Sequence, residues 1–268
     1  MHNLKVAGAI PAPATRYYFF NDTQMTAPFS IKEVFKAGWH TLRAHSGLVF
    51  AVVLTMFAIE VALQIVEKTL QNSATGATAS IVLSIASAAL GIGATIIALR
   101  LAEGKHATYQ NIIPSWTIFW RTLVAGLLMI LVVGGPLLVG AAVGAGVFFG
   151  SVGGNFDFEG AMTTGEWPWG AIVASSIVVL IAVLVAVYFA LRFSMGQYAI
   201  IEGARVIESL RKSWRMTRGA MGKLVLFLLA FGLLNILGVI PLGLGLLVTI
   251  PLTSLAMAHV YLKLKHRS

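Results

Sequence analysis

The sequence predicts an all-α, polytopic membrane protein: six transmembrane helices in three repeated hairpins, each hairpin preceded by an amphipathic interfacial helix. Three observations carry that prediction. Apolar residues make up 58% of the chain's 268 and charged residues only 11%, where soluble domains run to roughly 25% charged. The apolar residues fall in blocks of about 20, the length that crosses a bilayer with every backbone polar group bonded inside the segment. Of the 19 Lys and Arg, all but Lys68 lie in segments that an even number of spans places on one side, the asymmetry that sets orientation in a membrane.

Residues 1–28 contain no apolar run long enough for a secretory signal and read as a flexible tail. Met25 opens a segment that would serve as a natural start, so residues 1–24 are expected to be an extension of it. The membrane domain follows over residues 29–262, in units of about 29–101, 105–193 and 203–263. The first span is expected at residues 47–66 and the second at 79–99. The third, 122–144, continues apolar to Gly150, with Gly134-Gly135-Pro136 expected to kink it, because proline removes a backbone donor and clashes with the turn before it. The loop "SVGGNFDFEGAMTTGEWPW" then carries three acids and no base. The fourth span covers 171–191. The fifth and sixth, 223–240 and 242–262, join through a tight turn near Gly238 to Pro241, and Pro251 is expected to bend the sixth. Residues 263–268 read as a basic tail. Both termini and both basic loops are therefore expected in the cytoplasm of a bacterium, with the spans in its inner membrane.

Aligning Trp39 with Trp214 places Glu33 on Glu208, Phe35 on Leu210, Lys36 on Arg211, Arg43 on Arg218 and Gly47 on Gly222. A weaker third copy aligns Trp116, with Ile112 at the Phe35 position. The hairpins end alike, in "ALRL", "ALRF" and "VYLK". Repeats of this length in a membrane protein point to parallel internal duplication.

The segments before the hairpins are amphipathic at helical spacing. In the first, Ile31, Val34, Phe35, Gly38, Trp39 and Leu42 oppose Lys32, Glu33, Lys36, His40 and Arg43. In the last, Val206, Ile207, Leu210, Trp214 and Thr217 oppose Arg205, Glu208, Arg211, Lys212, Arg215 and Arg218. Such helices are too short and too charged to span; they lie in the interface. Trp39, Trp116 and Trp214 are the expected interfacial anchors, since tryptophan favours headgroup depth. Arg205, Arg211, Lys212, Arg215 and Arg218 are the expected contacts for anionic lipid headgroups, each cation contributing about 1 kcal/mol near an anionic leaflet. Glu208 is placed to pair with Arg211 and Lys212 one turn on. The basic face is too short for nucleic acid, and no nucleic-acid module accompanies it. Membrane lipids are the expected partners; no protein partner is indicated.

Within the spans, Glu60 is the most costly residue, at roughly 2.5–3.5 kcal/mol for a charge near mid-membrane. Gln64 and Glu67 continue its stripe outward, and the repeat alignment places Glu60 level with Asn235. Glu60, Gln64 and Asn235 form a candidate intramembrane polar site, and a shared cavity between them would suit a small transporter or channel. Gly140-x-x-x-Gly144 and Gly146-x-x-x-Gly150 permit close helix approach, expected within this chain rather than between copies. Cysteine is absent, which excludes disulfides and thiolate chemistry. No arrangement for a catalytic, cofactor or metal site stands out, so no enzyme activity and no cofactor are expected.

The run "YFALRFSMGQYAIIEGARVIESLRKSWRMTRGAMGKLVLFLLAFGLL", followed by a proline-containing turn and "AHVYLKL", is similar to a family of bacterial integral membrane proteins. That family includes YciC-like proteins and the membrane domain joined to some glycerophosphodiester phosphodiesterases. The resemblance implies a six-span inner-membrane protein and no catalytic residues; the phosphodiesterase domain of some relatives has no counterpart in this sequence. The expected role is structural, lipid-interacting or accessory.

Overall fold

A computed structural model describes residues 29–69, 74–153, 156–240 and 243–267; the expected tail at 1–28 lies outside them. Among the described residues there are helices and turns but no strands. Six stretches are long and apolar enough to cross a membrane: Ser46–Val66, Thr78–Ala102, Tyr109–Val152, Trp169–Ile201, Met221–Val239 and Leu246–Lys265. The chain has the architecture of a multi-pass membrane protein.

The first helix, α1 (Ile31–Ala44), ends at His45 and the chain re-enters α2 (Ser46–Thr69) at once. After α3 (Ala74–Ala102) comes a departure from the expected plan. The second unit has no amphipathic helix before its span. A single 3-10 turn, Tyr109–Ile112, takes its place, and Trp116 is the first residue of the span helix α4 (Trp116–Met129). The cause is Pro114, which keeps its preceding residue extended: Ile113 sits at φ −93°, ψ 110°, and the next helix starts only after Ser115. The 3-10 turn is drawn tightly onto α3 at Gly93. A Cβ there would lie 1.7 Å from the Ile112 carbonyl oxygen.

Where a kink is expected, α4 passes into a π-helical turn, Ile130–Gly134, and then into α5 (Gly135–Val152) with Pro136 in its first turn. A wider turn accommodates the bond that proline cannot make. The short α6 (Phe158–Thr164) interrupts the acidic loop, its first turn closed by Asp157, which accepts from the Gly160 amide at 2.9 Å. Then α7 (Trp169–Phe193) returns, against α5. The close approach runs through Gly140 and Gly144: a Cβ on Gly140 would lie 2.1 Å from the Ala182 Cβ, and one on Gly144 3.1 Å from Val179. Gly140-x-x-x-Gly144 thus serves packing inside the chain, while Gly146 and Gly150 have no such neighbour within 4 Å.

The short α8 (Gly196–Ile201) and α9 (Val206–Met216) lead into α10 (Met221–Val239) and α11 (Leu246–Lys265). α11 runs through Pro251 and extends to Lys265, so the first three residues of the expected basic tail are helical. It is the spine of the core: Leu252, Leu255, Ala256, Ala258, Val260, Tyr261 and Leu264 are buried among side chains of α1, α2, α3, α8 and α10. α1 crosses it where Gly38 meets Ala256, leaving 3.2 Å between a Gly38 Cβ and the Ala256 amide nitrogen. Two polar ties fix that crossing, Thr41 Oγ1 to His259 Nε2 at 3.2 Å and Lys263 to Glu33 at 2.5 Å.

Candidate functional site

Ion pairs join charged side chains of α1, the loop after α8, α9 and the end of α11. α9 is divided into three sectors rather than the two its sequence suggests. Ser209, Ser213, Met216 and the following Thr217 are buried. The Ser213 hydroxyl donates to the Arg192 carbonyl at 2.7 Å and accepts from the Met195 amide at 3.2 Å. Thr217 reaches the same Arg192 carbonyl at 3.4 Å. These hydroxyls satisfy groups at the C-terminal end of α7 that a helix leaves without partners. The serine–threonine stripe at i, i+4, i+8 is therefore the face that docks α9, and Thr217 belongs to it rather than to the apolar face.

Ile207, Leu210 and Trp214 form the second sector. Ile207 is 72% exposed and Trp214 37%, while Leu210 is half-buried and the other edge of Trp214 packs on Phe193 and Tyr188, so this flank is open at Ile207 and along one side of the indole. Arg211, Arg215 and Arg218 make the third sector, exposed beside the second, with Arg205 exposed at the helix start. Glu208 does not pair with these cations as expected: its carboxylate accepts from the Arg205 backbone amide at 3.4 Å, closing the first turn of α9. The Arg192 guanidinium lies 4.6 Å from the Trp214 ring centre and 5.4 Å from that of Tyr188, a cation–π arrangement that orients the indole.

Lys212 is set apart from the other cations. It turns to Glu202, whose carboxylate is the hub of a network that no sequence motif marks. Lys212 Nζ stands 3.4 Å from one Glu202 oxygen, and the Tyr261 hydroxyl donates to that oxygen at 2.8 Å. Lys265 Nζ reaches the other oxygen at 2.5 Å. Tyr261 is fully buried and stacks on Tyr198 of α8, ring centres 5.1 Å apart. Partial burial pushes the Glu202 carboxyl upward, but hydrogen bonds from Lys265 and Tyr261 and the charges of Lys265 and Lys212 outweigh it and hold the group below the usual carboxylate range. The hub thus locks the loop before α9 to the end of α11. The available signal was an acid between an Arg-ended span and a basic helix, with a tyrosine and lysine four apart in "YLKLK".

α1 presents a related pattern. Lys32, Lys36 and Arg43 are exposed, and the Arg43 guanidinium lies 4.9 Å from the Trp39 ring centre. Trp116 is 72% exposed and stacks on Phe119 while meeting Trp120 edge-on. Arg121, near the start of α4, donates to the Gly203 carbonyl at 3.0 Å and ties that span to the Glu202 loop.

The expected intramembrane polar site is not drawn together. Glu60 accepts from Ser87 of α3, and both it and Gln64 are exposed on α2. Asn235 donates to Thr253 of α11 at 3.3 Å. Two different helix pairs hold the two polar groups. The Glu67 side chain lies outside the described residues.

Compared with curated proteins and with solved structures, the chain finds no match. These comparisons do not extend the expected kinship with YciC-like or phosphodiesterase-linked membrane domains. A family model does match, across residues 29–268, from α1 to the end of the chain. The chain belongs to the family described as Protein of unknown function, DUF975.

Proposed function

We propose that this is a non-enzymatic protein of the bacterial inner membrane whose basic end lies at the cytoplasmic leaflet and holds anionic lipid headgroups, in a structural or accessory role. The carrying observation is the side-by-side exposure of apolar Ile207 and Trp214 and of cationic Arg211 and Arg215 on α9, with Arg218 exposed just past its end. A helix so divided suits the boundary between acyl chains and headgroups. The same elements in α1 support a duplicated origin, with the segment before the middle hairpin reduced to a 3-10 turn. The placement of Glu60 and Asn235 in separate helix pairs ranks this reading above a transport pathway between them.

The test uses the full-length protein in mild detergent, titrated with fluorescent phosphatidylglycerol and, separately, phosphatidylcholine. Replacing Arg211, Arg215 and Arg218 together by alanine removes about 1 kcal/mol per cation. Phosphatidylglycerol affinity is then expected to fall roughly a hundredfold, with phosphatidylcholine binding unchanged. An equal effect on both lipids would rule the electrostatic reading out.

A further inference from the structure

A shallow, open groove of about 420 Å³ runs between α1 and α10, lined by Ile31, Lys32 and Phe35 on one side and Ala230, Phe231 and Leu234 on the other. We propose that it seats one acyl chain of an anionic phospholipid, whose headgroup is held by Lys32 and Lys36. The proposal rests on the membrane placement of α1 argued above, but on none of the α9 contacts.

Chemistry separates the two ends of this site. The lining is almost entirely carbon, contributed by two aromatic rings, aliphatic side chains and the stem of Lys32. Phe35 and Phe231 meet with ring centres 6.1 Å apart, and the small Ala230 leaves the groove open alongside them. Beyond it the surface of α10 stays apolar, with Leu226, Leu229 and Leu233 all exposed, so a chain can enter sideways from the bilayer. At the α1 edge the exposed charges are Lys32 and Lys36, one helical turn apart. The acid between them, Glu33, is already bound by Lys263, which leaves the edge net positive. An aliphatic chain joined to an anionic headgroup complements both parts, whereas a neutral alkyl ligand would leave the cations unused.

Full-length protein in nanodiscs, carrying phosphatidylglycerol with a photoactivatable diazirine in its acyl chain, is irradiated and the adducts are mapped by mass spectrometry. Adducts are expected to concentrate on residues 31–35 and 230–234. Ala230→Trp, which fills the groove, should abolish them; Ala230→Phe, a smaller change, serves where the tryptophan variant is not monodisperse. Lys32→Gln with Lys36→Gln should lower phosphatidylglycerol labelling about 25-fold, from roughly fivefold per cation, and leave phosphatidylethanolamine labelling unchanged. The α9 triple variant should not alter groove labelling, so failure of the α9 reading and failure of this one are distinguishable. Labelling spread evenly over the exposed faces of α7 and α10 would overturn the proposal in favour of bulk lipid. Labelling that appears only after deletion of residues 1–28 would assign the groove to the chain's own tail, and adducts displaced by copy-to-copy crosslinks would assign it to a second copy; either overturns it.

Discussion

Gly93→Ala is expected to lower thermal stability by about 3 kcal/mol or more, the upper range for overpacking a fitted contact, or roughly 10 °C for a chain of this size. The added methyl carbon would stand 1.7 Å from the Ile112 carbonyl oxygen and 2.3 Å from its carbon. Both atoms are backbone, so no rotamer change relieves the clash; the 3-10 turn must move. Its attachments move with it: the Tyr109 hydroxyl to Thr55 at 2.7 Å, and the Asn111 side chain to the Thr108 amide at 2.9 Å. Gly91→Ala provides the control. A Cβ there meets nothing within 4 Å, and alanine favours the helix by up to about 1 kcal/mol. Thermal unfolding of both variants in one detergent decides the matter; equal stability of the two would contradict the seat of the turn on α3.

Glu202→Gln is expected to cost about 1.5–3 kcal/mol at neutral pH, the worth of hydrogen bonds to a charged group in a partly buried setting. The amide keeps the shape but cannot balance Lys212 and Lys265 together. The loss also has a pH signature. Because the folded carboxyl titrates below its unfolded value of about 4.3, its contribution is fully present above that value and disappears as pH falls through the folded one. Wild-type and Glu202→Gln unfolding temperatures should therefore differ most near pH 7 and converge as the pH falls past the ordinary glutamate value and through the lower folded one. A constant gap across that range would show that the charge of Glu202 is not what binds α8 to α11.

The spans were legible because lipid leaves a chain few ways to satisfy its backbone, and the apolar blocks follow directly. What a span packs against was not. Acyl chains are as apolar as leucine, so a hydrophobic pattern in a membrane does not separate protein-facing from lipid-facing positions. Leu226, Leu229 and Leu233 of α10 are exposed while Leu224, Phe227 and Phe231 are buried, and the sequence treats all six alike. Small residues supply a stronger signal, since only close approach explains them, and Gly140 was read correctly for that reason. The buried face of α9 is not the apolar one, which includes Thr217 but neither serine: Ser209, Ser213 and Thr217 meet backbone groups of α9 itself or of the end of α7, and a hydroxyl that docks on a backbone carbonyl carries no hydropathy signal. The repeat alignment gives no weight to Pro114, and so misses both the 3-10 turn Tyr109–Ile112 and the start of α4 at Trp116. The Glu202 hub joins residues 59 and 63 positions apart, a juxtaposition that only the fold creates.

The orientation of the basic end is open to one direct measurement, and the absence of cysteine from the chain makes it clean. Single substitutions Arg215→Cys, on α9, and Glu159→Cys, on α6, are treated with a membrane-impermeant maleimide in spheroplasts and again after lysis. Glu159→Cys should be labelled in the intact spheroplasts, and Arg215→Cys only once the membrane is opened. Labelling of Arg215→Cys before lysis would place the arginine flank on the wrong side of the bilayer and contradict the assignment of these cations to the cytoplasmic leaflet.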